Sequence, residues 1–200
     1  MVRHCKVSAV LQPAGVRQEA ARPSTPAVGA IVWLASELMF FAGLFAAFFT
    51  LRSASTAWPP AGVELEAVRA GVFTVVLVAS SATMQLAVRA AEGGRRALSL
   101  RWLAVTAGMA LVFLGNQASE WLTLGFTPST HAYGSVFYLL TGFHGIHVLG
   151  GIVAMGAVAA RLTGGADDPG AVPAVQVVGY YWHFVDAVWV AVFASVFLVR

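Results

Sequence analysis

The sequence predicts an all-α integral membrane protein with five transmembrane helices. Hydrophobic residues make up 58% of the 200-residue chain and charged residues only 10%, with a mean hydropathy of +0.77. A soluble domain usually carries about 25% charged residues, so this chain has too few to cover a globule of its size. Its apolar runs are each near the ~20 residues that a helix needs to cross the ~30 Å hydrocarbon core.

The five apolar stretches define the predicted helices in order along the chain. They cover roughly residues 28–51, 67–90, 102–124, 133–160 and 174–199. Each is long enough to span a membrane as a helix. No internal repeat is apparent, so residues 28–200 are expected to form one domain.

The segments outside these stretches are polar or contain turn-forming residues. Residues 1–27 are rich in Arg and Pro, and their apolar run from Val7 to Leu11 is too short for a signal-peptide core, so we expect a disordered cytoplasmic tail. The 52–66 connection contains Trp58-Pro59-Pro60, an interfacial aromatic followed by a rigid turn.

Basic residues orient the predicted bundle. If the N-terminus is inside, nine of the 12 Lys and Arg residues lie inside, and Arg52, Arg69 and Arg200 lie outside. Cytoplasmic loops carry an excess of Lys and Arg, so we predict the N-terminus inside and the C-terminus outside. The same distribution accounts for the pI of about 9.5 without a nucleic-acid partner.

Polar residues inside the apolar stretches are the candidate functional residues. A charged side chain at the bilayer centre costs ~2.5–3.5 kcal/mol even on insertion scales, so such groups normally face protein or trapped water. At ~1.5 Å per residue, most of them fall near the midplane, with Asn116 and Glu120 nearer the outer end. We expect them to form a buried polar layer whose members satisfy one another. The members are Glu37, Asn116, Glu120, His144, His147, His183 and Asp186.

Two interpretations of these residues stay open. His183 and Asp186 are three apart and share a helix face, so they form either a functional pair or a hydrogen-bonded lock between two helices. Glu37 is either a structural, protonated carboxyl or a proton carrier. We expect His144 and His147 to be structural.

The histidines raise the question of whether the chain binds a metal ion or haem. His144 and His147, with His183 and a carboxylate, have the ligand types of zinc or non-haem iron sites. The di-iron bundle pattern needs Glu-x-x-His on each of two helices, which this sequence lacks. Cys5 is the only cysteine, so no thiolate cluster or internal disulfide can form. We predict no metal, no haem and no catalytic residue in this chain.

Small residues and interfacial residues suggest packing and lipid contacts. Gly43 with Ala47, Thr141 with Gly145, and Gly156 with Ala160 have the spacing that lets helices approach closely. Arginines and tryptophans at the interface could hold lipid, although interfacial arginines do so generically. The lipid-binding candidates are Trp33, Arg52, Trp58, Arg69 and Arg89.

Six motifs in register resemble subunit III of the haem-copper cytochrome c oxidases. Their order and spacing agree over about residues 28–200, in the five-helix form that lacks the first two helices of the seven-helix version. The sequence of the segment Ile31-Val32-Trp33-Leu34-Ala35-Ser36-Glu37 most resembles the actinobacterial branch of the family. The motifs are Ser36-Glu37-Leu38-Met39-Phe40-Phe41, Trp58-Pro59-Pro60, Gln117-Ala118-Ser119-Glu120, Tyr133-Gly134-Ser135, Thr141-Gly142-Phe143-His144-Gly145-Ile146-His147-Val148 and Tyr181-Trp182-His183-Phe184-Val185-Asp186-Ala187-Val188-Trp189.

The resemblance implies a non-catalytic subunit of a proton-translocating oxidoreductase complex in the bacterial plasma membrane. In this family subunit I carries haem and copper, and subunit II receives electrons from cytochrome c. Subunit III packs on subunit I, encloses structural phospholipids in a V-shaped cleft between its first two helices and the remainder, and stabilises proton uptake. Glu37 matches the family's carbodiimide-reactive carboxyl. Membership of a supercomplex with a cytochrome bc complex is left open.

Two alternatives remain at the level of sequence. The homologous subunit of a quinol oxidase or nitric oxide reductase would share these motifs. An independent proton or metal transporter would explain polar residues at the midplane, but transporters commonly show inverted repeats and broken helices, and neither is visible.

Overall fold

The computed structural model describes residues 25–164 and 168–199, and within them it is all-helical. All five long helices are long and apolar enough to cross a membrane, which confirms the predicted fold class. The first 24 residues of the predicted tail lie outside the described part, as does Arg200. The helices are α1 (Thr25–Ser53), α2 (Ala67–Glu92), α3 (Arg96–Thr123), α4 (Ala132–Thr163) and α5 (Ala171–Phe193), and a π-helical turn (Ala194–Leu198) continues α5.

A tight turn joins α2 to α3 and makes them a helical hairpin. α3 begins at Arg96 rather than near residue 102, where the sequence predicts it. The turn is short because Gly94 adopts φ +70°, a left-handed conformation that glycine takes without steric cost. Ser99 then donates to the Ala87 carbonyl at 2.9 Å, a side-chain hydrogen bond that ties the two helices together next to the turn.

The helix α5 lies at the centre of the bundle and α1 lies at its edge. Within the apolar span of α5, 56% of the residues are buried, whereas within that of α1 only 11% are buried. α5 packs on α1, α2 and α4, whereas α3 packs on α2 and α4. α1 therefore packs chiefly on α4 and α5.

α4 packs tightly on α5 at Gly151. A Cβ atom there would lie 2.7 Å from the ring of Trp182, which is fully buried. The prediction that Gly43 and Gly156 provide close packing is wrong, because a Cβ at either position would meet no other atom within 4 Å. Both residues lie on open faces of their helices.

Candidate functional site

A carboxyl and an imidazole connect α1 to α4. Glu37 Oε2 lies 3.1 Å from His147 Nε2, and His147 Nδ1 lies 2.7 Å from the Phe143 carbonyl oxygen. A carbonyl oxygen only accepts, so Nδ1 carries its hydrogen and a single proton is shared between Nε2 and Oε2. The pair is therefore either imidazolium with carboxylate or neutral imidazole with carboxylic acid.

His147 lines an apolar groove between α4 and α5. The side chains of His147 and Glu37 are 15% and 23% exposed. The groove's first chamber has a volume of about 360 Å³ and is lined by Trp33, His147 and Tyr181, among others. Tyr181 donates its hydroxyl hydrogen to the His147 carbonyl at 2.8 Å, and Trp33 stacks on the Tyr181 ring at 5.3 Å. These contacts place Trp33, a lipid-binding candidate, on the wall of the groove.

The groove continues into a second chamber toward the connection between α4 and α5. This chamber, about 510 Å³, shares Ala154, Val177 and Val178 with the first and ends at Arg161. Arg161 holds Asp168 in a bidentate pair, Nε to Oδ2 at 2.8 Å and Nη2 to Oδ1 at 3.0 Å. These hydrogen bonds, with a further one from the Gly170 amide, lower the pKa of Asp168 below its ordinary value of 3.8.

A second polar cluster lies between α2 and α5. His183 Nδ1 is 3.0 Å from Ser81 Oγ, and Ser81 donates its hydroxyl hydrogen to Asp186 Oδ2. His183 Nε2 lies 3.3 Å from Gln85 Oε1. Asp186 is 4% exposed. The two residues that the sequence placed on one face are thus bridged by a serine from the neighbouring helix.

A third group connects the first turn of α2 to the last turns of α3. Arg69 donates from Nε to Asn116 Oδ1 at 2.7 Å and from Nη2 to Ser119 Oγ. Its Nη1 also lies 3.7 Å from a carboxylate oxygen of Glu66. Glu120 is 9% exposed, lines a polar pocket of about 310 Å³ with Arg69, and has no hydrogen-bond partner at Oε1 among the described residues. Arg69 is therefore engaged between helices.

His144 lies apart from these groups. It is fully buried on α4, with its ring 4.7 Å from that of Trp189 and 5.8 Å from that of Phe113. Neither ring nitrogen has a hydrogen-bond partner within the described part of the chain. The predicted polar residues thus occupy three separate groups and one isolated position.

The remaining lipid-binding candidates differ in their surroundings. Arg52 is half-buried in the last turn of α1, and Arg89 is exposed in the last turn of α2. Trp58 packs edge-on against the rings of Phe48 and Tyr133, at 5.4 and 5.0 Å. Trp58 therefore belongs to the packing of the α1–α2 connection.

Sequence reasoning missed the polar residues of α2. Ser80 accepts from the Trp182 indole at 2.9 Å, and its neighbour Ser81 lies one turn before Gln85. A weak signal was present, since Ser81 and Gln85 are four apart and share a helix face within an apolar run.

The fold and these contacts define a class, that of five-helix membrane proteins whose intramembrane polar groups bond to one another across helix interfaces. Across residues 25–164 and 168–199, no three His, Cys, Asp or Glu side chains are grouped so as to hold a metal ion. Residues 17–199 match the profile of the family described as Cytochrome c oxidase subunit III. The chain belongs to this family, which confirms the resemblance.

Several bacterial relatives are similar over most of their length. A protein of Mycobacterium leprae named "Probable cytochrome c oxidase subunit 3" is 48% identical over 183 residues, 90% of each chain. "Cytochrome c oxidase subunit 3" of Corynebacterium diphtheriae is 41% identical over 185 residues, also 90% of each. The protein of that name from Thermostichus vulcanus is 35% identical over 177 residues, 88% of each. The similarity favours the oxidase-subunit hypothesis over an independent transporter.

Proposed function

We propose that this chain is the non-catalytic third subunit of a proton-pumping cytochrome c oxidase in the bacterial plasma membrane. It packs on the oxygen-reducing subunit I, which is associated with subunit II, and it stabilises proton uptake through repeated turnover. The observation that supports this most strongly is the family match over residues 17–199. The haem and copper of the complex then reside in the partner subunits.

Purification of the tagged chain from its native membrane tests the assignment. Subunits I and II, haem and copper are expected to accompany it, together with cytochrome c oxidase activity. Co-purification with subunits that oxidise quinol, or that reduce nitric oxide, would replace the proposal by one of the two homologous alternatives. Recovery of the chain alone under conditions that preserve the oxidase would contradict it.

Removal of the chain tests the stabilising role. A two-subunit enzyme is expected to start with near-normal oxygen consumption and then to lose activity progressively during turnover. The physical reason is that this chain covers part of subunit I and its lipids without contributing a redox centre. Immediate, complete loss of activity with both haems intact would contradict this role.

We also propose that the groove between α4 and α5 holds an acyl chain of a phospholipid. Its two chambers have apolar walls, they meet at Ala154, and Trp33 of α1 closes one side. Ala154→Phe should fill the junction and reduce the phospholipid that co-purifies, as counted by native mass spectrometry. Ala104→Phe, on an exposed face of α3, is the matched control. Equal lipid content in the two variants would sink the proposal.

The proposed orientation places the N-terminus in the cytoplasm. It is supported by the positive-inside distribution of Lys and Arg. A cysteine introduced beside Pro60 should react with an impermeant thiol reagent in intact cells, and one beside Arg95 should react only after the membrane is opened. The reverse pattern would invert the topology.

A further inference from the structure

The hydroxyl of Ser81 lies between an acid and a base inside the bundle. Its oxygen is 3.0 Å from His183 Nδ1, and it donates to Asp186 Oδ2. Oδ1 of Asp186 has no hydrogen-bond partner among the residues that the structure describes. We propose that Asp186, Ser81 and His183 form a proton-binding site in which the serine hydroxyl passes a proton between the imidazole and the carboxyl. This site goes beyond the proposed function and does not depend on which complex contains the chain.

The direction of each hydrogen bond follows from the hydrogens available. A serine hydroxyl has one hydrogen, and here that hydrogen points to Asp186. The Ser81 oxygen can therefore only accept from His183, so Nδ1 carries a hydrogen in this arrangement. With the hydrogens in this order, a proton on His183 can move toward the carboxylate.

The transfer is a balanced shift of two protons. The Nδ1–H bond of the His183 imidazolium breaks as an O–H bond forms on Ser81, while the original Ser81 O–H bond breaks as one forms at Asp186 Oδ2. Imidazolium and carboxylate become neutral imidazole and carboxylic acid. The serine is unchanged, and no other reagent takes part.

The amide of Gln85 fixes which nitrogen of His183 takes part. Its Oε1 lies 3.3 Å from His183 Nε2 and accepts the hydrogen there. That Nε2–H bond exists both in the imidazolium and in the neutral ring left after transfer. Gln85 thus holds the ring in one orientation and leaves Nδ1 as the atom that gains and loses the proton.

Burial makes His183 the route to Asp186. Asp186 is 4% exposed, whereas His183 is half-buried, so a proton reaching the carboxyl passes the imidazole and the serine. In the described part of the chain, no hydrogen bond or ion pair joins either residue to another carboxyl, histidine or basic side chain on the helices packed against α5. Those side chains are Glu37 and Arg52 on α1, Arg69, Arg89 and Glu92 on α2, and His144, His147 and Arg161 on α4.

Hydrogen–deuterium exchange of the Asp186 carboxyl tests the site. Infrared spectra of the intact purified complex are recorded after transfer to D2O, following the C=O stretch of the protonated carboxyl that Asp186→Asn removes. If that variant does not assemble, Asp186→Glu, which keeps the carboxyl and shifts the band, makes the assignment. Ser81→Ala is expected to slow deuteration by at least about tenfold, equivalent to one decade in rate. Ser81→Thr, which retains a hydroxyl, should restore the rate.

The neighbouring serine is a matched control. Ser80→Ala removes a hydroxyl from the same turn of α2, where it accepts from the Trp182 indole, and should leave the exchange rate of Asp186 unchanged. Equal rates in Ser81→Ala and Ser80→Ala would overturn the proposal. The absence of any protonated carboxyl band that depends on Asp186, over the whole range of pH that the complex tolerates, would also overturn it.

Discussion

The α1–α4 pair and the α2–α5 cluster use the same chemistry, a carboxyl and an imidazole, in opposite surroundings. Glu37 and His147 are in direct contact at the edge of the bundle, beside an open groove. Asp186 and His183 are bridged by Ser81 in its interior. The two sites contain the same types of residue and differ in how exposed their carboxyls are. The position of each helix in the bundle decides that exposure.

Carbodiimide labelling gives the largest expected contrast. A hydrophobic carbodiimide reaches protonated carboxyls from the lipid phase, and the Glu37 carboxyl shares a proton with His147 at a partly exposed site. Asp186 is sealed and Glu120 has its Oε1 enclosed, so peptide mapping should find nearly all of the adduct on α1.

The matched variants are Glu37→Gln, which should abolish labelling, and Asp186→Asn, which should leave it intact. The sequence also favours Glu37, because α1 places no basic residue on the same helix face near it. In the structure Glu37 does have a partner, His147 on α4. The partial exposure of the Glu37 side chain is therefore the reason to expect that it reacts with the carbodiimide. An adduct found chiefly on Asp186 or Glu120 would remove the distinction between the two sites.

A valine at Gly151 should disturb the packing of α4 on α5. The added side chain would overlap the Trp182 ring, whose indole bonds to Ser80. Overpacking of this kind costs about 1–3 kcal/mol, so the thermal denaturation midpoint of the purified complex should fall clearly. Gly156→Val is the control, because a Cβ there meets nothing within 4 Å. Similar midpoints for the two variants would show that α4 and α5 do not depend on this approach.

Substitution of one hydrogen-bonding residue at each site should destabilise the protein by different amounts. Ser81→Ala leaves both Asp186 and His183 without their shared partner, at a cost of about 1–2 kcal/mol. Glu37→Gln keeps a hydrogen-bonding group opposite His147, so its cost should stay below about 0.6 kcal/mol. Thermal denaturation of both variants measures the difference. A larger loss in Glu37→Gln would reverse the ranking of the two sites.

The smallest effect is expected at the connection between α4 and α5. The lowered pKa of Asp168, caused first by Arg161, means that the folded protein keeps this carboxyl ionised to lower pH than the unfolded chain does. Its contribution is present above the ordinary value of 3.8 and is lost as pH falls through the folded pKa. Asp168→Asn should remove that part of the acid sensitivity, seen as a flatter pH dependence of the denaturation midpoint. Because the pair is exposed, the change should be slight. An unchanged pH profile in the variant would contradict this role.

The helices could be predicted from the sequence, but the faces that meet could not. Length and hydropathy fix five spans because a bilayer requires about 20 apolar residues for each. The helix faces that pack together could not be predicted, because lipid is as apolar as a protein core. Residues that face the bundle and residues that face lipid are therefore equally apolar. Gly43 and Gly151 illustrate this, since both are glycines in apolar helices and only Gly151 contacts a neighbouring helix.

The polar residues were predictable singly and their partners were not. Glu37, His147, His183 and Asp186 stand out because charge in an apolar run is rare. That Glu37 meets His147, and that Ser81 meets Asp186, depends on how each helix is rotated and which helices are neighbours. Contacts separated by 110 and 105 residues leave no local trace in a single sequence.

The position of α1 has a consequence for biosynthesis. α1 leaves the ribosome first, yet it packs chiefly on α4 and α5, which are made last. His147, the partner of Glu37, is synthesised 110 residues after it. At ordinary rates of translation this delay is about 5–20 s. During that interval α2 and α3 can already close as a hairpin, while α1 sits unattached in the lipid with its carboxyl unpartnered. A ribosome stalled before residue 132 would therefore hold a membrane-inserted chain that is half assembled, and such a chain is a ready substrate for membrane proteases.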